Sequence, residues 1–186
     1  MIRGIIVLLL IFNCKNLWSQ ATDTALQRKI YNERIQKTRI ADVYIPMNTN
    51  DAMNELLRLS DSVAREKIKT TKEDTIASKL HFSLGRWMQI NWGFDEGSRL
   101  SHYYRTKGVT YTDDMIDLLI RSFYRTIVKQ PIEEEKLIQK YIDLRKQENM
   151  EKKKKEEEER KRKEDEDLKN KSKNVFTSYE ENTWHR

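Results

Sequence analysis

Ile76, Leu80, Leu84 and Trp87 recur at spacings of four, four and three. Residues at that interval share one face of a helix and would fall on both faces of a strand. Thr71, followed three residues later by Asp74, reads as a capping box with Asp in place of Glu, so the helix is expected to open there. Gly93 is placed to close it in a left-handed turn that folds Phe94 back toward Met88. A second stripe, Ile116, Leu119, Ile120, Phe123 and Ile127, predicts a helix from Asp113 to Lys129. Thr112 is its expected cap, and Asp113 and Asp114 face the positive end of its dipole. These stripes make the expected fold class all-α.

The flanking segments extend the pattern. Leu26, Ile30, Ile35 and Ile40 have a loose helical spacing from Ala21 to Ala41. Pro46 then biases Ile45 toward an extended backbone, and Asn48, Thr49 and Asn50 offer capping oxygens. Met53, Leu56, Leu57, Ser60, Val63 and Ala64 predict a helix over Asp51–Lys69 with a break near Ser60. Gly97 and Ser98 form a turn and a cap for a helix over Leu100–Lys107, which Gly108 stops. After Pro131, acids at Glu133, Glu134 and Glu135 open a helix whose apolar stripe is Leu137, Ile138, Tyr141, Ile142 and Leu144.

Beyond Arg145 the stripe disappears and the chain becomes almost wholly charged. From Glu151–Lys155 through Lys163–Asp167, thirteen successive i to i+4 pairs join opposite charges. At about 0.2–0.5 kcal/mol per pair, these hold a solvated helix that needs no core. Continuous from Arg145 to Asn170, it would rise on the order of 35–40 Å. Apolar heptad positions are missing, so a coiled coil is not expected. The arm is read either as a spacer or partner-binding element or as an inert charged extension. The resulting organisation is a signal peptide over 1–20, a helical extension over 21–42 and a helical domain over 43–145. A charged single-helix arm follows over 146–170, then a flexible tail over 171–186.

The first residues bear on location. Arg3 precedes an unbroken apolar run from Ile5 to Phe12 and a polar stretch ending in Ser19-Gln20-Ala21, the order of a secretory signal. The run is too short to span a bilayer. Cleavage after Ser19 or Ala21 leaves a chain without cysteine, so no disulfide framework supports it. The competing reading is a lipoprotein signal that acylates Cys14, and only then is a membrane partner expected. The formal charge of +6 divides into +2 over residues 1–20, 18 basic against 14 acidic side chains over 21–131, and 16 against 16 over 132–186. Such a thin, scattered excess does not point to nucleic acid.

No catalytic constellation stands out. His81, His102 and His185 form neither HxxxH nor HExxH, so no metal or cofactor is expected, and His81 reads as a hydrogen-bonded structural imidazole. The stretch from Gly93 to Arg99 is one residue short of a phosphate loop, lacks its lysine, and carries Asp95 and Glu96, which repel anions. Ser98 lies in no GxSxG elbow. Trp87 fits the core stripe. Trp92, Phe94, Tyr103, Tyr104, Tyr111 and Tyr124 suit either a core cluster or a sugar- or peptide-binding face, with core the commoner role.

"LHFSLGRWMQINWG", "GSRLSHYY", Gly108 and "TDDMIDLLIRSFYR" together resemble a bacterial domain-of-unknown-function family of small helical proteins, over about Val43 to Ile132. The shared set is W-x(4)-W-G, G-S-R-L and D-D-M. Phe94 stands where members carry a further tryptophan, and Tyr111-Thr112 where they carry histidine-proline. The resemblance implies no activity or cofactor, and it directs attention to Asn91-Trp92, Ser98-Arg99-Leu100 and Asp113-Asp114-Met115. The expected function is that of an exported, periplasmic or secreted, non-enzymatic binding module with a protein or envelope partner. Its surface is expected at Trp92, Asp95, Glu96, Arg99 and Tyr103. The alternative is a small hydrolase or carbohydrate-active protein with a site near His81, Asp95, Glu96 and Arg99.

Overall fold

A computed structural model describes residues 24–183, with side chains through residue 171. The segment expected to be an export signal and Cys14 lie outside the described residues, as do residues 184–186 and the side chains of the rest of the expected tail. The chain divides into two units, Met1–Gln139 and Lys140–Arg186.

In the first unit, helix α1 covers 24–34, well short of Ala41. A two-residue hairpin replaces the expected continuation: β1 (Arg39–Ile40) pairs antiparallel with β2 (Val43–Tyr44), Arg39 opposite Tyr44. Ala41 and Asp42 both take positive φ, 47° and 62°, as a two-residue primed turn requires. Ile40 therefore sits on a strand, and its spacing from Ile35 is not helical. Helix α2 (Thr49–Leu59) starts on Asn48, whose side chain accepts the Asp51 N–H at 2.9 Å. The expected break falls at Ser60 and Asp61, and Asp61 caps α3 (Ser62–Lys69) by accepting from the Ala64 N–H.

Helix α4 (Glu73–Leu80) lacks the expected capping box. Lys72 is its N-cap residue without a side-chain bond, because Thr71 donates its hydroxyl to the Lys67 carbonyl at 3.1 Å. The stripe beginning at Ile76 is also not one α-helix. A π-helical turn, His81–Gly85, separates α4 from α5 (Arg86–Asn91), and the Arg86 N–H reaches the His81 carbonyl five residues back. At the end of this turn the backbone packs closely on α7: a Cβ on Gly85 would stand 2.6 Å from Cγ2 of Ile116.

Gly93 ends α5 as expected, at φ 61°. Gly93 and Phe94 donate to the carbonyls of Ile90 and Gln89, the double bond of a Schellman turn. Phe94 is fully buried, and its ring meets Trp92 edge-to-face at 6.4 Å. Ser98 and Ser101 form a capping box at the start of α6 (Arg99–Thr106), which Gly108 stops at φ 93°.

Helix α7 (Thr112–Ile127) is the core, packing against α2, α3, α4, α5, α6 and the π-turn. Met115, Ile116, Leu118, Leu119, Ile120 and Phe123 are all buried on it. Each such side chain contributes roughly 1.5–3 kcal/mol. Thr112 is the first helical residue, not the cap, and its hydroxyl serves Asp95. Helix α8 (Glu134–Thr183) begins in this unit, where Leu137 and Ile138 are buried.

In the second unit α8 continues, and every residue from Lys146 to Lys171 is exposed. Opposite charges meet one turn apart at Lys152–Glu156 (3.9 Å), Glu157–Lys161 (2.8 Å) and Arg160–Glu164 (3.7 Å). The fold is all-α with a long charged C-terminal helix, and the hairpin is its only strand structure among the described residues.

Candidate functional site

The five residues expected to form a binding surface have separate tasks. Trp92 is fully buried, edge-to-face with Trp87 at 5.7 Å, and so presents nothing to solvent. The reason is the Schellman turn, which folds the chain back over it. Asp95 joins that turn to α7, accepting from Gln89 Nε2 at 2.7 Å and Thr112 Oγ1 at 3.0 Å. Glu96 is exposed, 3.9 Å from Arg34. Arg99 donates from Nε to the Ile45 carbonyl at 2.6 Å, lies 3.8 Å from Asp51, and stacks over the Tyr44 ring. Tyr103 donates to Glu134, whose oxygens lie at 3.0 and 3.1 Å. Burial, followed by the Glu134 carboxylate, raises its pKa above the usual phenol value.

The residues of the hydrolase alternative divide in the same way. His81 lies 3.7 Å from Asp113 in the first turn of α7, and Asp95 reaches that turn through Thr112. Arg99 is held instead by Ile45 and Asp51. Among the described residues, no three His, Cys, Asp or Glu side chains converge as metal ligands.

Two joints carry little signal in the sequence. Arg34 donates from Nε to the Gly97 carbonyl at 3.0 Å, and the Tyr31 hydroxyl lies 3.1 Å from His102 Nδ1, so α1 clasps the glycine turn. At the start of α8, Glu134 accepts from Tyr103 and Thr49, and Thr49 also hydrogen-bonds the buried Tyr104 hydroxyl at 2.7 Å. Lys107 completes this joint, 3.8 Å from Glu134 and 2.5 Å from Glu135.

The feature with the shape of a binding site lies elsewhere. An open groove of about 410 Å³ runs between α2–α3 and α4–α5. Leu56 and Leu59 come from the end of α2, and Ala64 and Ile68 from α3. Leu80, Leu84 and Trp87 form the opposite wall, with Phe123 of α7 contributing from the core. Ser60, in the α2–α3 break, is the one polar residue among the lining side chains. Leu84 and Trp87 are thus only half-buried, although their spacing with Ile76 reads as a core face. Ile76 is buried in the core, whereas Leu80, at the end of α4, Leu84, in the π-turn, and Trp87, in α5, line the wall. Such turns recur at functional sites. On the same turn Phe82 is 87% exposed.

These features define a small all-α domain built round one central helix, with an apolar groove beside it. Residues 45–127 match the family model described as Domain of unknown function (DUF6794). Neither a curated protein nor a solved structure matches the chain. The matched segment contains every residue that lines the groove and excludes α1, the hairpin and α8.

Proposed function

We propose that this protein is an exported, non-enzymatic binding module and that its partner or ligand occupies the groove between α2–α3 and α4–α5. One observation carries the reading: an open, almost wholly apolar cleft of about 410 Å³ lies within the segment that the family model matches. Its volume is in the range of sites that enclose small ligands or a few anchoring side chains. A chain with a core this small gains stability by closing such a gap, so leaving it open suits occupancy by something else. Export is supported by the apolar run Ile5–Phe12 behind Arg3 and by Ser19-Gln20-Ala21.

The groove reading is tested with the apolar fluorophore N-phenyl-1-naphthylamine. The full chain is expected to enhance its emission saturably, and Leu84→Asp to weaken that binding at least about tenfold while the far-ultraviolet circular dichroism stays native. Unchanged dye binding in Leu84→Asp would overturn the reading. Export is tested by N-terminal sequencing of the secreted or periplasmic chain, expected to begin at Gln20 or Thr22. A diacylated Cys14 in the membrane fraction would replace simple export by lipidation.

A further inference from the structure

We infer that the groove's ligand is a single-chain amphiphile with a carboxylate head, a long-chain fatty acid, whose head is bound by Arg65. The inference rests on the groove being a binding site, as proposed above. Its lining is apolar except at Ser60, which calls for a ligand that is apolar along its length and polar at one end.

Arg65 stands at that polar end. Its Nη1 donates to the Ser60 carbonyl at 2.5 Å, to Ser60 Oγ at 3.2 Å and to the Leu57 carbonyl at 3.0 Å. These bonds satisfy the last carbonyls of α2, and they leave the Nε–Nη2 edge of the guanidinium without a hydrogen bond among the described residues. That edge presents two parallel N–H donors, the arrangement that receives a carboxylate in bidentate fashion.

The half-buried arginines Arg34, Arg99, Arg121, Arg125 and Arg145 each meet a carboxylate of this chain, and Arg105 donates to the Phe94 carbonyl. Arg65 meets none among the described residues. Residues 61–72, around this end of the groove, carry Arg65, Lys67, Lys69 and Lys72 against Asp61 and Glu66, and the next acids, Glu73 and Asp74, pair with Arg121 and Arg125. The local charge therefore favours an anion. An acidic amphipathic helix would also carry apolar and negative groups. It lays down several anchors along an extended groove, however, and holds its carboxylates on the opposite face. One chain with one terminal carboxylate fits a compact cleft with one polar end.

The test displaces N-phenyl-1-naphthylamine from the full chain with octanoate, decanoate, laurate, methyl laurate and an acidic amphipathic helical peptide. Laurate is expected to displace the dye, with affinity rising about threefold to fourfold per methylene from octanoate. Methyl laurate is expected to bind about tenfold more weakly, and Arg65→Gln to lower laurate to the level of its ester while leaving the ester unchanged. Because Arg65 also caps α2, retained ester binding reports that the groove of the variant is intact. Equal affinity of laurate and its ester in the wild type would overturn the assignment, as would unchanged laurate binding in Arg65→Gln or loss of both ligands. Dye displaced by the peptide and not by laurate would refute the fatty acid and leave the groove standing as a peptide site. Dye binding indifferent to Leu84→Asp removes both readings together.

Discussion

The Gly97 α-carbon lies against the ring of Tyr31, and a methyl group built on it would stand 2.5 Å from both Cδ2 and Cε2. Gly97 also has φ 91°, and its carbonyl accepts from Arg34. One residue therefore serves two constraints, a backbone that turns left and a surface on which α1 seats. The turn lies inside the segment that the family model matches, whereas Tyr31 and Arg34 lie before it.

Gly97→Ala is accordingly expected to destabilise the chain by about 2–3 kcal/mol in urea unfolding, from the left-handed backbone and the clash together. Tyr31→Ala removes the clash alone. In that background the alanine is expected to cost only about 1 kcal/mol, the backbone share. Additive costs would show that α1 does not sit on Gly97 in solution.

Leu84 and Leu119 occupy helices that touch, but only Leu119 is fully buried. Leu119→Ala is expected to cost about 2–5 kcal/mol, the range for a cavity in a packed core. Leu84→Ala, on the wall of an open groove, is expected to cost about 1 kcal/mol or less. Equal losses in chemical denaturation would mean that the groove is closed in solution.

Stability at high pH is expected to fall through the buried phenols. Burial raises the pKa of Tyr104 well above 10.0, and burial followed by Glu134 raises that of Tyr103. The unfolded chain loses these protons first. The contribution is therefore complete below pH 10.0 and is lost as pH rises through the raised values. Tyr104→Phe is expected to cost about 0.5–1.5 kcal/mol at pH 7, through its bond to Thr49, and to reduce the loss between pH 10 and 12. Urea midpoints at pH 7, 10 and 11.5 measure both effects.

A peptide of residues 146–170 is expected to be helical in about 10 mM salt and to lose helicity toward about 1 M, where the screening length shrinks to about 3 Å. Acid should act in the same direction. The Lys161 ammonium bonded to Glu157 lowers that carboxyl's pKa below 4.5, so its support is present above pH 4.5 and lost as pH falls through the depressed value. Circular dichroism showing coil at both salt concentrations would exclude a self-supporting arm.

The helix ends were legible in the sequence wherever one residue decides them. Gly93 and Gly108 supply left-handed turns, Ser98 a cap, and the Ser60–Asp61 step a break. Thr71 and Thr112 misled because each has a competing bond, to Lys67 and to Asp95, and a hydroxyl serves whichever acceptor the fold brings near. Of the candidate surface, the chemistry of Asp95, Arg99 and Tyr103 was visible but their partners were not. Trp92 offered no sign of whether its turn would expose or bury it.

The division follows the range of the interactions. The chain by itself determined the all-α class, the turns and the paired charges of the arm, since these depend on groups within about four residues of one another. Only the tertiary structure decided that Gly85, at the end of a π-turn, meets Ile116, more than thirty residues away. The same packing leaves Ile76 in the core and Leu80, Leu84 and Trp87 on the groove wall. Whether an apolar face becomes core or binding site depends on what is packed against it, and no local spacing carries that information.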